Sequence, residues 1–413
     1  MTKPLVSESR LENCLLPLSD PQVLLEGDFC SEQKASAYLF RDFEKVILFY
    51  GDDNPKKFFA EIEKFLKKGF WVCGYFSYEF GYWLEPALRY LRPKIEQPLV
   101  WLGVCKRPFL ISNKQEAPVY KNSIKYSLCN LKCSLSFPEY EKKIKRIKYY
   151  LENGLTYQVN LTFKLEFEIS ADVFDFYLAL RRAQPAPYRA FINTGTQYIL
   201  SLSPELFFRI DGKRIMSRPM KGTAARSASI ERDRRNKEAL LKSKKIQAEN
   251  VMITDLLRND LGKICSNVTV DQLFKVEEYS TLYQVTSTIL GSLNNGTAYS
   301  DIFTSLFPCG SVTGAPKIKT MEIIKILEKQ NRGIYTGAIG YISPSKDTCF
   351  NVAIRTVVLN KNHGEIGIGG GIVYDSVAFN EYKEALLKSE FLTKFSYPSD
   401  KNVSPVIKQG GYF

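Results

Sequence analysis

Histidine is almost missing from this chain: His363 stands alone among 413 residues. That removes most Ser-His-Asp and Cys-His designs, and any metal site built on two or more histidines. Carboxylates, lysines, tyrosines and backbone amides are left to do any chemistry, and His363, in the loop NKNHGEIG, reads as a turn residue. Long apolar runs are missing too. None approaches the roughly 20 residues that span a bilayer. The opening MTKPLVSESRLENC lacks the apolar stretch of a signal peptide, so a cytoplasmic protein with no membrane partner is expected. Cysteine is present but unpatterned: nine residues at irregular spacing argue against a disulfide framework. Cys129 and Cys133 have no second pair to complete a zinc site, which leaves reduced structural thiols. Neither a repeat nor a low-complexity tract is evident.

What is present describes an ordinary globular chain. Hydrophobic residues make up 45% and aromatics 13%, too many for disorder, and the length permits two or three domains or one large α/β unit. The formal charge of +13 admits a nucleic-acid partner, but 57 basic residues are scattered among 44 acidic ones. The densest patches, EKKIKRIKYY and KSKKIQ, fall in helical patterns and read as solvated faces, so no nucleic-acid partner is expected. Excess lysine also suits an anionic small molecule.

In the N-terminal part, AYLFRDFEKVILFYGDDNP reads as a strand pair ending in a turn, and PKKFFAEIEKFLKKG as an amphipathic helix stopped by Gly69. KGFWVCGYFSYEFGYWLEP reads as buried strand running into helix. The lysine-rich stretch 114–134 is the expected boundary, giving an N-terminal region 1–135, a main domain 136–400 and a tail 401–413. From Ser136 the elements lengthen. Pro138 opens a helix with Ile144, Ile147 and Leu151 at helical spacing and Gly154 as the stop, and YQVNLTFKLEFEI alternates as a strand. Strands and helices follow in mixed order without βαβ repetition, which predicts an α+β fold with antiparallel sheets.

Lys221 draws attention first. It stands in SRPMKGTAARS, a small-residue loop between the strand-like SLSPELFFRIDGKRI and the helical KKIQAENVMITDLLRNDLG, with Glu205 before it and Glu249 after it. A lysine so placed is a candidate nucleophile; a solvated turn lysine is the plain alternative. FPCGSVTGAPKIK and GIGGGIV lack the spacing of nucleotide motifs, yet glycine runs let amides approach an anion such as a carboxylate. The helical FNEYKEALLKSEFL places Glu381, Glu384 and Lys388 on one face, where a surface salt bridge is the ordinary outcome. If Glu249 and the late carboxylates meet across the fold, they form an oxygen-rich site suited to magnesium. Tyr335, in RGIYTGAIGY, and Arg355, in NVAIRTVVL, sit in strand-like segments. Such an arginine needs an anion, by sequence alone most simply an internal Asp or Glu.

Taken in order, YQVNLT, SPELFF, MKGTAAR, AENVMITDLLRNDLG, FPCGSVTGAPKIKTMEII, RGIYTGAIGY, NVAIRT, GGGIVYDS and EYKEALLK resemble the chorismate-utilising enzymes. The likeness covers essentially all of the chain after Ser136, and more loosely VLLEGDF and GYFSYEFGYWLEP before it. It implies two large, mostly antiparallel sheets packed face to face with helices outside. It also implies Mg2+ bound by Glu249 and Glu384, neutralising the ring carboxylate of chorismate. Gly222 and Thr223 would line that carboxylate. Tyr335, Arg355 and the backbone of Gly371, with Gly370 beside it, would hold the enolpyruvyl carboxylate, and Lys388 would add positive charge. Glu381, Arg258 and Thr313 are further candidates. Glu205 would be the general acid for the departing 4-hydroxyl, which calls for a pKa raised by burial.

Two positions choose a branch. At Lys221 the anthranilate, isochorismate and salicylate synthases typically carry alanine, whereas lysine marks the aminodeoxychorismate branch. At Gln158 the isochorismate and salicylate branches typically place a water-activating lysine, so glutamine fits ammonia. The implied reaction has Lys221 attack C2 of chorismate as the 4-hydroxyl leaves, after which ammonia adds at C4 and expels the lysine, giving 4-amino-4-deoxychorismate for 4-aminobenzoate and folate synthesis. Anthranilate synthase component I is the alternative. No GxCxG elbow is present, so a separate glutamine amidotransferase subunit is expected to supply ammonia. Gln284 replaces a histidine frequent in the family, and Leu24-Leu25-Glu26-Gly27 departs from the pattern linked to tryptophan feedback, which is not expected.

Overall fold

Strands outweigh helices in this chain, and they assemble into two sheets of twelve and ten strands. The computed structural model describes residues 5–7, 20–30, 35–112, 126–227, 229–278, 282–394 and 396–398. The expected tail 401–413, most of the opening segment and residues 114–125 of the expected boundary lie outside these.

The first sheet runs Leu5–Ser7, Phe109–Ser112, Ala37–Phe40, Gln22–Gly27, Tyr188–Asn193, Tyr198–Ser203, Thr356–Asn360, His363–Ile372, Gln158–Ser170, Tyr126–Cys133 and Ser396–Pro398, with Gly314–Ala315 added beside Gln158. The second runs Met220–Ala225, Leu282–Leu293, Arg214–Arg218, Leu206–Asp211, Thr348–Val352, Ala338–Ile342, Trp71–Phe76, Val100–Cys105 and Lys45–Phe49, with Cys265–Glu278 paired to Leu282–Leu293. Pairing is antiparallel except at the two short strands Leu5–Ser7 and Ser396–Pro398. The expected α+β class with two mostly antiparallel sheets therefore holds. Strands from before residue 135 are built into both sheets: Gln22–Gly27 pairs with Tyr188–Asn193, and Trp71–Phe76 with Ala338–Ile342.

The sheets meet face to face through one apolar cluster. Val23, Leu25, Tyr38, Tyr188 and Ile192 of the first sheet pack with Cys73, Tyr75, Ile339 and Tyr341 of the second, and the Tyr38 and Tyr341 rings cross edge to face at 5.4 Å. Helices cover the outer faces. Pro55–Lys67 is capped by Asn54, whose side chain accepts from the Lys56 amide, and it buries Phe58, Phe59, Ile62 and Leu66. Phe137–Glu152 starts on a reciprocal Ser136–Glu139 box and buries Tyr140, Ile144 and Ile147. Both helices stop before glycines in the left-handed region, Gly69 and Gly154, as predicted.

The expected strand pair in AYLFRDFEKVILFYGDDNP is corrected. Ala37–Phe40 and Lys45–Phe49 are both strands, but they belong to different sheets, because left-handed Asp42 turns the chain from one layer to the other. His363 opens a strand immediately after a hairpin turn and is exposed, its Nδ1 3.6 Å from Glu168. Cys73, Cys105, Cys129, Cys133, Cys265, Cys309 and Cys349 are free thiols, and none of the described helices is long and apolar enough to cross a membrane.

Candidate active site

Glu205 sits just before the strand Leu206–Asp211, its backbone locked by Val352, whose N–H donates to the Glu205 carbonyl at 3.0 Å. The side chain is 3% exposed. Burial pushes the carboxyl up to about 7, against a hydrogen bond from Ser311 and the nearby Lys221 charge, which both favour the ionised form. The Ser311 hydroxyl donates to Glu205 Oε1 at 2.6 Å. Lys221 Nζ donates to the carbonyl of the same Ser311 at 3.4 Å, a long bond that leaves the amine room to move. Lys221 is not in a loop, as its small neighbours suggested. It lies on the edge strand Met220–Ala225, whose pairing with Leu282–Leu293 slips between Met220 and Thr223. Gly222 takes φ +87° there, and an added Cβ would stand 2.7 Å from the Ile246 side chain. The bulge re-aims Lys221.

Gln158 begins the longest strand of the first sheet and is fully buried, yet neither its amide nitrogen nor its amide oxygen has a protein partner. Buried polar groups are nearly always satisfied, so these atoms await a ligand or water. A Cβ on Gly371, in the neighbouring strand, would stand 2.1 Å from Gln158 Nε2. The Tyr335 ring covers Gly367 of that strand. Thr313 is buried, its hydroxyl spent on the carbonyls of Cys309 and Gly310.

Tyr335 and Arg355 do not lie within strands. Each stands on the connection just before one, because Thr336 at φ +61° and Arg355 at φ +50° break the extended run that their small and branched neighbours suggested. Arg355 makes no ion pair or side-chain hydrogen bond among the described residues, and burial pulls its guanidinium down to about 10. The internal Arg–Glu pair exists, but at Arg332. Its guanidinium grips Glu328 at 2.8 Å through both Nε and Nη2, and it also donates to the carbonyls of Asn160 and Val312. Glu79 accepts from the amides of Arg332 and Gly333, fixing the turn that carries Tyr335.

A third group is charged. Glu249, on the helix Lys244–Gly262, has its carboxyl raised by burial and by Glu381 and Glu384, against Lys221 and Lys245. Glu384 is more than half exposed but ringed by lysines; the burial it does have is outweighed by Lys388, Lys245 and Lys221, and its carboxyl falls below the usual range. Lys388 bonds Glu384 at 3.0 Å and the Gly369 carbonyl at 2.8 Å, beside Gly370. Glu381 is buried and held by Ser376 at 2.8 Å and Lys245 at 2.9 Å. KSKKIQ is therefore not wholly a solvated face, since Lys245 reaches across to the last long helix. Arg258 pairs with Asp255 on its own helix, both exposed. Thr223 is exposed opposite Gln284, which is buried against the Met220 sulfur. Sequence reasoning missed Ser311, Lys245 and Arg332; for Ser311 the only signal was its place in FPCGSVTGAPKIK.

An acid at a raised pKa beside a lysine, an unpaired arginine and a carboxylate–lysine cluster suit a small molecule bearing several carboxylates. Residues 21–394 match the family described as chorismate binding enzyme, and the chain belongs to that family. It is 37% identical over 252 residues to aminodeoxychorismate synthase component 1 of Bacillus subtilis, covering 60% of this chain and 54% of that one. It is 42% identical over 262 residues to a probable chloroplastic aminodeoxychorismate synthase of Oryza sativa subsp. japonica, covering 62% and 29%. With anthranilate synthase component 1 of Saccharolobus solfataricus it shares 34% over 338 residues, 79% of this chain and 80% of the other. The chain thus spans about half the length of the Bacillus relative and under a third of the rice one. Its fold is that of anthranilate synthase component I from Streptococcus pneumoniae, with TM-score 0.74, 24% identity and coverage of 92% and 94%. The menaquinone-specific isochorismate synthase MenF of Escherichia coli shares the fold at TM-score 0.71, 17% identity and coverage of 93% and 92%.

Proposed function

We propose that this chain aminates chorismate at C4 to give 4-amino-4-deoxychorismate, with Lys221 as nucleophile and Glu205 as acid, on residues drawn from 136–400. The observation that carries the reading is the joint attachment of Lys221 and Glu205 to Ser311. The Lys221 amine, neutral when it attacks, bonds C2; the ring double bonds shift, the C4–O bond breaks, and the hydroxyl takes the Glu205 proton and leaves as water. Ammonia then bonds C4, the double bonds return, and the C2–N bond breaks to free Lys221. Arg355 and Tyr335 hold the enolpyruvyl carboxylate, which supplies the anion that Arg355 lacks. Gln158 offers a neutral amide where a water-activating lysine would favour hydroxylation.

Glu249 and Glu384 fit a magnesium ion held by two carboxylates plus substrate oxygens and water. Among the described residues no group of three such side chains is placed to hold a metal alone, and magnesium commonly binds by one or two carboxylates. When bound, it supplies positive charge to the ring carboxylate of chorismate. Lys245 and Lys388 now balance these carboxylates, and Lys388 adds charge beside the substrate.

The reading includes a cytoplasmic setting and an amidotransferase partner that supplies ammonia from glutamine. The test incubates purified chain with chorismate, magnesium and excess ammonium, with products read by mass spectrometry and fluorescence. Aminated chorismate without anthranilate fluorescence is expected. Anthranilate would favour the alternative reading, and no aminated product would reject both.

A further inference from the structure

Glu205, just before the strand Leu206–Asp211, and Lys221, on the strand Met220–Ala225, share one neighbour. The Ser311 hydroxyl donates to Glu205 Oε1 at 2.6 Å while the Ser311 carbonyl receives Lys221 Nζ at 3.4 Å. Ser311 is itself 5% exposed, on the single turn Gly310–Val312, and that turn is held from the other side: Arg332 Nη1 donates to the Val312 carbonyl at 2.8 Å, and Asn160 Nδ2 to the same oxygen at 3.1 Å. Cys309 Sγ lies 3.3 Å from Ser311 Oγ. The thiol is buried and pushed up to about 12 by that burial, so it stays protonated and donates to the serine oxygen while the serine proton points at Glu205. The Ser311 hydroxyl is therefore aimed, not a free rotor.

Resting on the proposed roles of Glu205 and Lys221, we propose that Ser311 is a positioning residue of the reaction: its hydroxyl fixes the carboxyl of the acid and its carbonyl tethers the nucleophile. Once the Glu205 proton has gone to the leaving oxygen, the Ser311 hydroxyl, already aimed at Oε1, donates to the new carboxylate. A methyl group cannot. The titratable groups facing Glu205 are Lys221, from the Met220–Ala225 strand, and Cys309, from the loop before Gly310. Cys309 stays neutral, so the Ser311 hydroxyl, Lys221 and the Met220 backbone amide are the influences that favour ionised Glu205.

Ser311→Ala removes the hydroxyl but keeps the carbonyl that receives Lys221, so it isolates one of the two contacts. Ser311→Thr restores a hydroxyl on the same backbone. The test measures kcat/KM for chorismate against pH for both variants, the wild type and Glu205→Gln, at saturating free ammonia, with unfolding followed over the same pH range. Loss of a hydrogen bond to a charged group moves a pKa by about one unit or more. In Ser311→Ala the alkaline limb of the profile is expected to shift upward by that amount, with kcat/KM lowered by roughly tenfold on its plateau. The fall in stability with rising pH should extend upward with the limb, and Ser311→Thr should return both toward wild type. A lower plateau with an unmoved limb and an unmoved stability profile would make Ser311 merely structural and overturn the inference. Full activity of Glu205→Gln would instead overturn the role of the acid, an outcome separate from any result at Ser311.

Discussion

Gln158 and Gly371 face each other on adjacent strands so closely that a single methyl group on Gly371 would stand 2.1 Å from the glutamine amide nitrogen. Gly371 has no left-handed backbone to excuse it; space alone demands glycine here. The atom it would meet is the end of a flexible side chain, so the fold can give way where the site cannot. Gly371→Ala is expected to keep a Tm near wild type while kcat/KM for chorismate falls by about tenfold or more, the cost of one displaced polar contact. Differential scanning fluorimetry and steady-state kinetics on the same preparation check it.

Arg355 and Arg332 should respond oppositely to the same change. Arg332 is paired with Glu328 in the interior, and Arg332→Gln strands a buried carboxylate, a loss of about 3–5 kcal/mol. Arg355 has no such partner, so Arg355→Gln should leave stability unchanged or slightly raised while weakening chorismate binding by roughly tenfold to a hundredfold, the worth of a charge-assisted bond. Denaturant unfolding and a chorismate-induced Tm shift, which wild type should show and Arg355→Gln should lose, distinguish the two.

Burial of Glu205 has a consequence for stability. With its carboxyl at about 7 in the fold against an ordinary value near 4.3, the folded chain holds one more proton than the unfolded chain between those values. Stability contributed by the neutral acid is therefore present below pH ~4.3 and lost as pH rises through about 7, in total by about 4 kcal/mol. Glu205→Gln carries no proton to lose. Relative to wild type it should gain about 2–3 kcal/mol between pH 5 and pH 8 in urea unfolding, and a parallel pair of curves would contradict the assignment.

Magnesium dependence should report on Glu249 and Glu384 but not on Arg258, whose partner is the exposed Asp255. Glu249→Gln and Glu384→Gln are each expected to raise the magnesium concentration for half-maximal amination by at least about tenfold. Arg258→Ala should leave that concentration unchanged. Titration of activity against magnesium at fixed chorismate decides it.

Much of this was legible in the sequence, for reasons that can be named. Gly69 and Gly154 stop their helices because only the left-handed region completes those turns, and the order of motifs from YQVNLT to EYKEALLK fixes the family. Position was harder. Tyr335 and Arg355 read as strand residues by composition, but backbone angles at Thr336 and Arg355 lift them onto turns, and no side-chain pattern encodes that. Lys221 read as a loop residue because Gly222 and the small residues after it imitate one, whereas pairing to Leu282–Leu293 makes it an edge strand with a bulge. An arginine needing an internal carboxylate was foreseen at Arg355 and found at Arg332, since periodicity cannot say which partner lies across the fold. Ser311 signalled itself only by its place in a glycine-rich run, which becomes meaningful once the fold brings Glu205 and Lys221 to it.

The central claim is that Lys221 bonds the substrate, and intact-mass spectrometry of the chain with chorismate and magnesium, without ammonia, tests it most directly. The wild type should gain the mass of one chorismate less one water, mapped by peptide digestion to Lys221 and discharged as aminated product when ammonium is added. Lys221→Ala should gain nothing and form little product. An unmodified wild type together with a fully active Lys221→Ala variant would contradict the account.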